Sequence, residues 1–350
     1  MNLGDALAAQ GKFDEAVACY RRSIELSPKR VLLHNRLGGA LERQGKQDEA
    51  TAAYGEAKRL KAEEAVAACR EAVRLKPNDP LAYFNLGVVL GKKGMLDDAI
   101  AAYQEVLLRK PDILAQRIVN NLYWDFLAYP NPQTRNAKRV VELIKQVMAQ
   151  NPTIAQNPNP EELAGYASLF LLAGDIETYR QQSTRVFENH GNTQQTHTAY
   201  LVARICALAP DAQIDPSKLV QLAERAAQAK PAPHHLHTLG LVHYRAGQYD
   251  KAIEQLHKSM EGNWKAQVVN WLVLAMAHQR LGHTDEAHIW FEKAARWIDN
   301  PDVPKSSNSG DRLRTLYPHD ALACMVLRRE AEMLLKRSTI KRRGSATSNA

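Results

Sequence analysis

The sequence is short of cysteine, of long apolar runs and of catalytic signatures, and each shortage removes a class of protein. Its four cysteines, Cys19, Cys69, Cys206 and Cys324, stand far apart in 350 residues and form no CxxC pair. That excludes a disulfide framework. Set among apolar helical neighbours, they read as buried reduced thiols, which behave as small hydrophobes and suit a reducing compartment. The longest apolar runs, residues 272–277 and 169–173, fall far short of the roughly 20 residues that a bilayer span needs, so no membrane partner is expected. The start, Met1-Asn2-Leu3-Gly4-Asp5, has neither the basic nor the apolar region of a signal peptide, and the expected location is cytoplasmic. No GxxxxGK[ST], GxGxxG, GxSxG or HExxH occurs, so the sequence points to no enzyme, no catalytic residue and no cofactor.

The charge is uneven. The net value is +8, yet residues 300–350 hold ten basic residues against five acidic ones. A basic end such as Lys336-Arg337 and Lys341-Arg342-Arg343 can meet nucleic acid by counterion release. No aromatic residue interleaves with it, however, and the platform for base stacking is missing. Elsewhere Glu42, Asp97, Asp98 and Glu105 alternate with Lys and Arg, which leaves no basic stripe. Nucleic acid is therefore the weaker alternative as a partner.

What the sequence does have is a repeat. Asn2-Leu3-Gly4, Arg36-Leu37-Gly38, Asn85-Leu86-Gly87 and Thr238-Leu239-Gly240 are each followed seven residues after the glycine by a second one, at Gly11, Gly45, Gly94 and Gly247. Five residues on stands Ala16, Ala50, Ala99 or Ala252, and four later Tyr20, Tyr54, Tyr103 or Leu256. Pro28 and Pro111 close the pattern in two units. Gly282, Ala287, Phe291 and Ala294 keep the frame near the end, and Gly174 with Tyr179 in the middle. Apolar residues at three and four spacing make each half an amphipathic helix. The second glycine ends the first helix, where a left-handed residue carries no steric penalty. Acidic residues, as in Gly11-Lys12-Phe13-Asp14-Glu15, start the second through its cap and dipole. The early glycine and the alanine are small where two backbones approach, and the large residue is expected to fill the gap between neighbouring hairpins.

This spacing resembles the tetratricopeptide repeat, a 34-residue unit carrying Leu-Gly, then Ala, an aromatic and Pro. The resemblance implies an all-α fold: a right-handed α-solenoid of helical hairpins whose concave groove binds a peptide or protein segment without catalysis. In that family the residue before the Leu faces the groove. Here it is Asn2, Arg36, Asn85 and, in a more degenerate stretch, Asn121. A carboxamide both donates and accepts, so asparagine can hold an extended chain by its backbone.

The pattern also has gaps. The first unit lacks its opening turn, as though Met1 were not the true start or the chain were a piece of a longer ancestor. Between Gln47 and Lys76 the only breaker is Gly55, and the second-helix signature recurs at Ala65, Cys69, Ala72 and Pro77, fifteen residues after Ala50. One helix of a unit is missing near 62–77, and one long helix or two would satisfy the pattern. Loops are expected at Tyr129-Pro130-Asn131-Pro132 and at 211–215. The expected organisation is therefore repeat units over 1–112, degenerate units over 113–299, a linker over 300–317, a capping helix over 318–337 and a disordered basic tail over 338–350. The capping helix should set Cys324, Leu327, Ala331 and Leu334 against Trp290 and Trp297.

Residues 113–336 further resemble the helical tails behind bacterial serine/threonine protein kinase domains. The likeness rests on Asn120-Asn121-Leu122-Tyr123-Trp124 with Pro130-Asn131-Pro132, on the run from Leu201 through Arg204 to Asp211, and on Trp271 through Gly282 with Leu327-Arg328-Arg329-Glu330-Ala331-Glu332. It implies a regulatory or docking module and names a protein kinase as one possible partner. The histidines His234, His235, His237 and His243, with His278, His283 and His288 in the next unit, have donors of the kind that bind zinc or nickel. No nearby Cys completes a familiar ligand set, so they read as packing or solvated histidines, and no metal is expected.

Overall fold

The computed structural model describes residues 3–109, 111–128, 136–210, 214–299 and 312–347, all of whose regular elements are helical. They fall into two compact units, Met1–Glu105 and Val106–Ala350. The expected loop at 129–132, most of that at 211–215, Asn2 and most of the 300–317 linker lie outside the described residues.

The N-terminal unit holds α1 (Leu3–Ala9), α2 (Phe13–Leu26), α3 (Val31–Arg43), α4 (Gln47–Leu75), α5 (Pro80–Lys92) and the start of α6 (Leu96–Arg109). Each hairpin turns on its predicted glycine: Gly11, Gly45 and Gly94 have φ of 76°, 76° and 77°. In each the glycine N–H donates to the carbonyl three residues back and the next N–H to the carbonyl five back, as from Gly11 to Ala8 and from Lys12 to Leu7, both at 3.0 Å. This closes the helix end that would otherwise leave carbonyls unpaired. The acidic residues after the turn favour the helix start through its dipole and not through a cap: Lys12 and Lys46 occupy the cap positions of α2 and α4, and neither gives a side-chain cap bond.

The stretch with the missing helix is one continuous helix. Without an internal proline, α4 runs 29 residues, about 44 Å at 1.5 Å per residue. Ala50, Ala53, Ala57, Leu60 and Val66 form its buried stripe, and Arg59–Glu63 and Arg74–Glu71 pairs at 2.6 Å lie on its wet side. It stops at Lys76, before Pro77, because the residue before proline is pushed out of the helical region. Asp79 then caps α5, accepting from the Leu81 N–H at 2.9 Å, with Pro80 in the first turn.

The tyrosines pack on their own hairpin as well as toward the next. A methyl on Gly4 would fall 2.6 Å from the Tyr20 ring, and one on Gly38 2.7 Å from Tyr54; Gly87 stands in the same relation to Tyr103, and Gly240 to Leu256. Each glycine thus seats the large residue of its own hairpin, while Tyr20 also joins an apolar cluster with Ala40 and Leu41 of the next hairpin. Ala16, Ala50, Ala99, Ala252 and Ala287 are all buried behind them. Tyr20 and Tyr103 are buried, whereas Tyr54 is 38% exposed; it lies on α4, which runs on as one helix to Leu75. Phe291 is half-buried.

The C-terminal unit stacks five hairpins: α7 (Pro111–Ala128) with α8 (Ala137–Gln150), then, after the short α9 (Pro152–Gln156), α10 (Pro160–Ala173) with α11 (Ile176–His190), α12 (Thr196–Ala207) with α13 (Pro216–Ala229), α14 (Pro233–Arg245) with α15 (Tyr249–Met260), and α16 (Gln267–Leu281) with α17 (Thr284–Asp299). Gly174, Gly247 and Gly282 make the same left-handed turn. The first helices α7, α10, α12, α14 and α16 touch one another in a row, which makes one face of the unit. Cys206 and Cys324 are buried, as expected; Cys19 and Cys69 are only half-buried.

After a short 3-10 turn at Arg312–Thr315, whose Leu313 is buried with Leu316 after it, the last helix, α18, runs Pro318–Thr347. It passes the expected end at 337 because Lys and Arg are good helix formers. It covers the last hairpin through α16 and extends beyond it. Its main contacts are α16 and α10, with fewer to α7 and α17, so it lies across the row of first helices. The Trp290 ring is met instead by Lys293 Nζ at 4.8 Å and by His257 at 5.9 Å. From Asp320 to Leu327 every α18 residue but Met325 is buried, and further along it is Leu335, not Leu334, that is buried. A helix buried on all sides sits in a groove.

Candidate functional site

The first-helix faces of the two units are the surfaces on which the predicted binding residues fall. In the N-terminal unit Arg36 lies on α3 and Asn85 on α5, half-buried and exposed respectively. The Arg36 guanidinium pairs with the Asp5 carboxylate, which also accepts the Tyr20 hydroxyl at 2.9 Å. Burial and that hydrogen bond push the Tyr20 phenol up to about 12, with Arg36 working against them. Arg36 is therefore held by the preceding hairpin as well as facing outward. Asn121, half-buried on α7, belongs to the other unit.

In the C-terminal unit the corresponding face is occupied by α18, anchored by charges. Arg204 on α12 pairs with Asp320 at 2.7 Å, the side chains 5% and 3% exposed. It also donates to the Tyr200 hydroxyl at 3.0 Å and to the His319 carbonyl at 3.2 Å. At the end of α14, Arg245 grips both carboxylate oxygens of Glu330 and donates to the carbonyls of Ala207 and Leu208 at 2.8 and 2.9 Å. One guanidinium thus closes the C-terminal end of α12 and fixes α18. Arg329 donates to the Leu172 carbonyl of α10 at 2.8 Å, and Arg328 takes Asp299 in a two-bond fork at 2.7 Å. With its contacts to α7 and α16, α18 reaches all five first helices.

The sequence reading passed over these anchors, though it carried a signal for one. Arg204 is the single charge in Leu201-Val202-Ala203-Arg204-Ile205-Cys206-Ala207, and a charge inside an otherwise apolar buried helix requires a partner.

The histidine cluster serves packing. His235 Nδ1 meets the Lys230 carbonyl at 2.6 Å, His237 Nδ1 the Asn270 side-chain oxygen at 2.7 Å, and His243 Nδ1 that of Gln248 at 2.8 Å. Burial, reinforced by Arg204, holds His237 down to about 4.

These hairpins, with their turn glycines, seated tyrosines and buried alanines, match known repeats. A family model described as TPR repeat matches residues 4–45 and 61–94, and one described as Tetratricopeptide repeat matches 80–113. The chain carries tetratricopeptide repeats. The break in the first match, 46–60, falls on the first half of α4. A third family model, anaphase-promoting complex, cyclosome, subunit 3, matches residues 217–294. Among solved structures, a tetratricopeptide repeat protein from Parabacteroides merdae is 14% identical over 78% of this chain and 95% of that chain, with a TM-score of 0.33. The P58(IPK) TPR domain is 14% identical over 96% of this chain and 97% of that one, with a TM-score of 0.25. No curated protein matches the chain.

Proposed function

We propose that the chain is a non-enzymatic, cytoplasmic interaction scaffold whose first-helix faces hold peptide or protein segments, with Arg36 and Asn85 as binding residues of the N-terminal unit and Asn121 as one of the C-terminal unit. Asn2 belongs with the N-terminal residues by sequence. The observation that carries this reading is the seat of α18. In the C-terminal unit the first-helix row already holds a polypeptide helix, through buried arginine-carboxylate pairs and apolar contact, so a row of this construction is chemically suited to a protein ligand. Tetratricopeptide repeats suggest a protein-interaction scaffold in general terms, and the helical-tail resemblance of residues 113–336 makes a kinase one candidate for the bound protein.

The test is an affinity capture from native cytoplasm with wild type and the Asn85→Ala/Asn121→Ala variant side by side, read by mass spectrometry, with helicity checked by circular dichroism. A discrete protein retained by wild type and lost with the variant supports the reading and names the partner. A protein held equally by both removes the asparagines from the interface.

A further inference from the structure

Where α18 enters its groove, the C-terminal unit leaves a cleft of about 480 Å³, within the range of pockets that hold a ligand group. Its walls are aromatic: Tyr123, Tyr200, Trp264 and Tyr317, with the imidazoles of His234 and His319. The rings are organised against one another. Tyr200 and His234 meet edge to face at 5.0 Å, and Tyr317 stacks on His319 at 5.9 Å with 7° between the planes. Burial, with the charges of His235 and Arg204 behind it, holds His234 down to about 4, and burial with Arg204 does the same for His319. Both imidazoles are thus neutral near pH 7 and keep a lone pair.

Two carboxylates line the same cleft, Glu161 and Asp320. Asp320 is matched by Arg204, so that pair is electrically closed. Glu161 is 71% exposed at the rim and faces the His197 ring at 3.7 Å. The cleft therefore presents aromatic rings, uncharged imidazoles and one outward carboxylate, a lining complementary to a cation that donates hydrogen bonds. A planar guanidinium fits better than an ammonium, because it stacks on tyrosine and tryptophan while its edge donates to nitrogen and carboxylate acceptors.

We propose that this cleft is a binding site for an arginine side chain of a partner polypeptide, the guanidinium between the aromatic walls and directed at Glu161. The inference shares with the proposed function only the premise that the chain binds protein segments, and it concerns residues apart from Asn85 and Asn121. The probe is the peptide acetyl-Ala-Arg-Ala-amide, with its citrulline counterpart as an uncharged isostere, titrated into the full chain and followed by the Trp264 indole N–H signal, assigned with Trp264→Phe. The arginine peptide should shift that signal saturably, citrulline should bind at least tenfold more weakly, and Glu161→Gln should weaken arginine binding about three- to tenfold with an unchanged melting temperature. Equal binding of arginine and citrulline, or no saturable shift with arginine, overturns the site. Either result leaves the asparagine capture experiment standing on its own outcome.

Discussion

Arg204 and Asp320, 116 residues apart in sequence, form an ion pair at 2.7 Å with both side chains almost wholly buried. Removing one partner from such a pair leaves an uncompensated buried charge, at about 3–5 kcal/mol. Asp320→Ala should therefore lower the unfolding free energy by that order in urea titrations. Arg204→Met with Asp320→Leu should recover most of it, because apolar groups of similar volume replace a buried pair with little penalty. A double variant as unstable as Asp320→Ala would show that the loss does not come from an uncompensated Arg204 charge.

The groove seat of α18 predicts a contrast between two of its own residues. Leu327 is fully buried and Met333 is 55% exposed. Leu327→Ala should destabilise by about 2–5 kcal/mol, and Met333→Ala should stay within about 0.5 kcal/mol, both read from chemical unfolding. Similar small effects at the two positions would be expected of a helix resting on the surface and would contradict the groove.

Acid should weaken the C-terminal unit in a defined window. His237 titrates at about 4 when folded against 6.5 in its ordinary state, and His234 and His319 behave alike. The unfolded chain then binds more protons than the folded one between these values, so stability is complete above pH 6.5 and falls as pH drops toward 4. Each group contributes up to about 1.4 kcal/mol per pH unit. His237→Gln should flatten the slope of unfolding free energy against pH across that window. An unchanged slope would mean that His237 does not titrate there.

Two glycines should respond with opposite signs to alanine. At Gly55, inside α4, an added methyl meets nothing within 4 Å, and Gly55→Ala should stabilise by roughly 0.5–1 kcal/mol through helix propensity. At Gly87 the methyl would strike the ring of Tyr103, which is fully buried and cannot swing out. Gly87→Ala should cost about 1–3 kcal/mol by overpacking. Thermal melts of both variants check the pair, and a loss at Gly55 would argue against a continuous α4.

Much of the local structure was legible in particular residues. Gly11, Gly45, Gly94, Gly247 and Gly282 mark the turns because only glycine takes the left-handed conformation there without penalty. Ala16, Ala50 and Ala99 mark the buried side of the second helices because nothing larger fits. The tyrosines were expected to fill the gap to the next hairpin, and Tyr179 does reach it, its hydroxyl donating to the Ile205 carbonyl at 2.7 Å; what the spacing did not show is that Tyr20, Tyr54 and Tyr103 also pack on the early glycine of their own hairpins. Sequence spacing alone does not distinguish a ring turned to its own hairpin from one turned to the next.

The candidate sites were less legible. Arg36 was placed on a binding face, yet its bond to Asp5 joins two hairpins and appears only when α1 and α3 are set side by side. The aromatic cleft draws on residues from 123 to 320, a span over which no local pattern operates.

The sequence by itself determined the helical hairpins, their turns and their repeat, because helix periodicity, glycine conformation and proline breaks act within a few residues of one another. Only the tertiary structure decided that α4 stays whole and that α18 lies in the groove of its own unit. Both depend on burial. The apolar stripe of α4 is covered from Ala50 to Val66, and α18 is held where Arg204 and Arg245, brought from distant helices, meet the buried Asp320 and the partly buried Glu330.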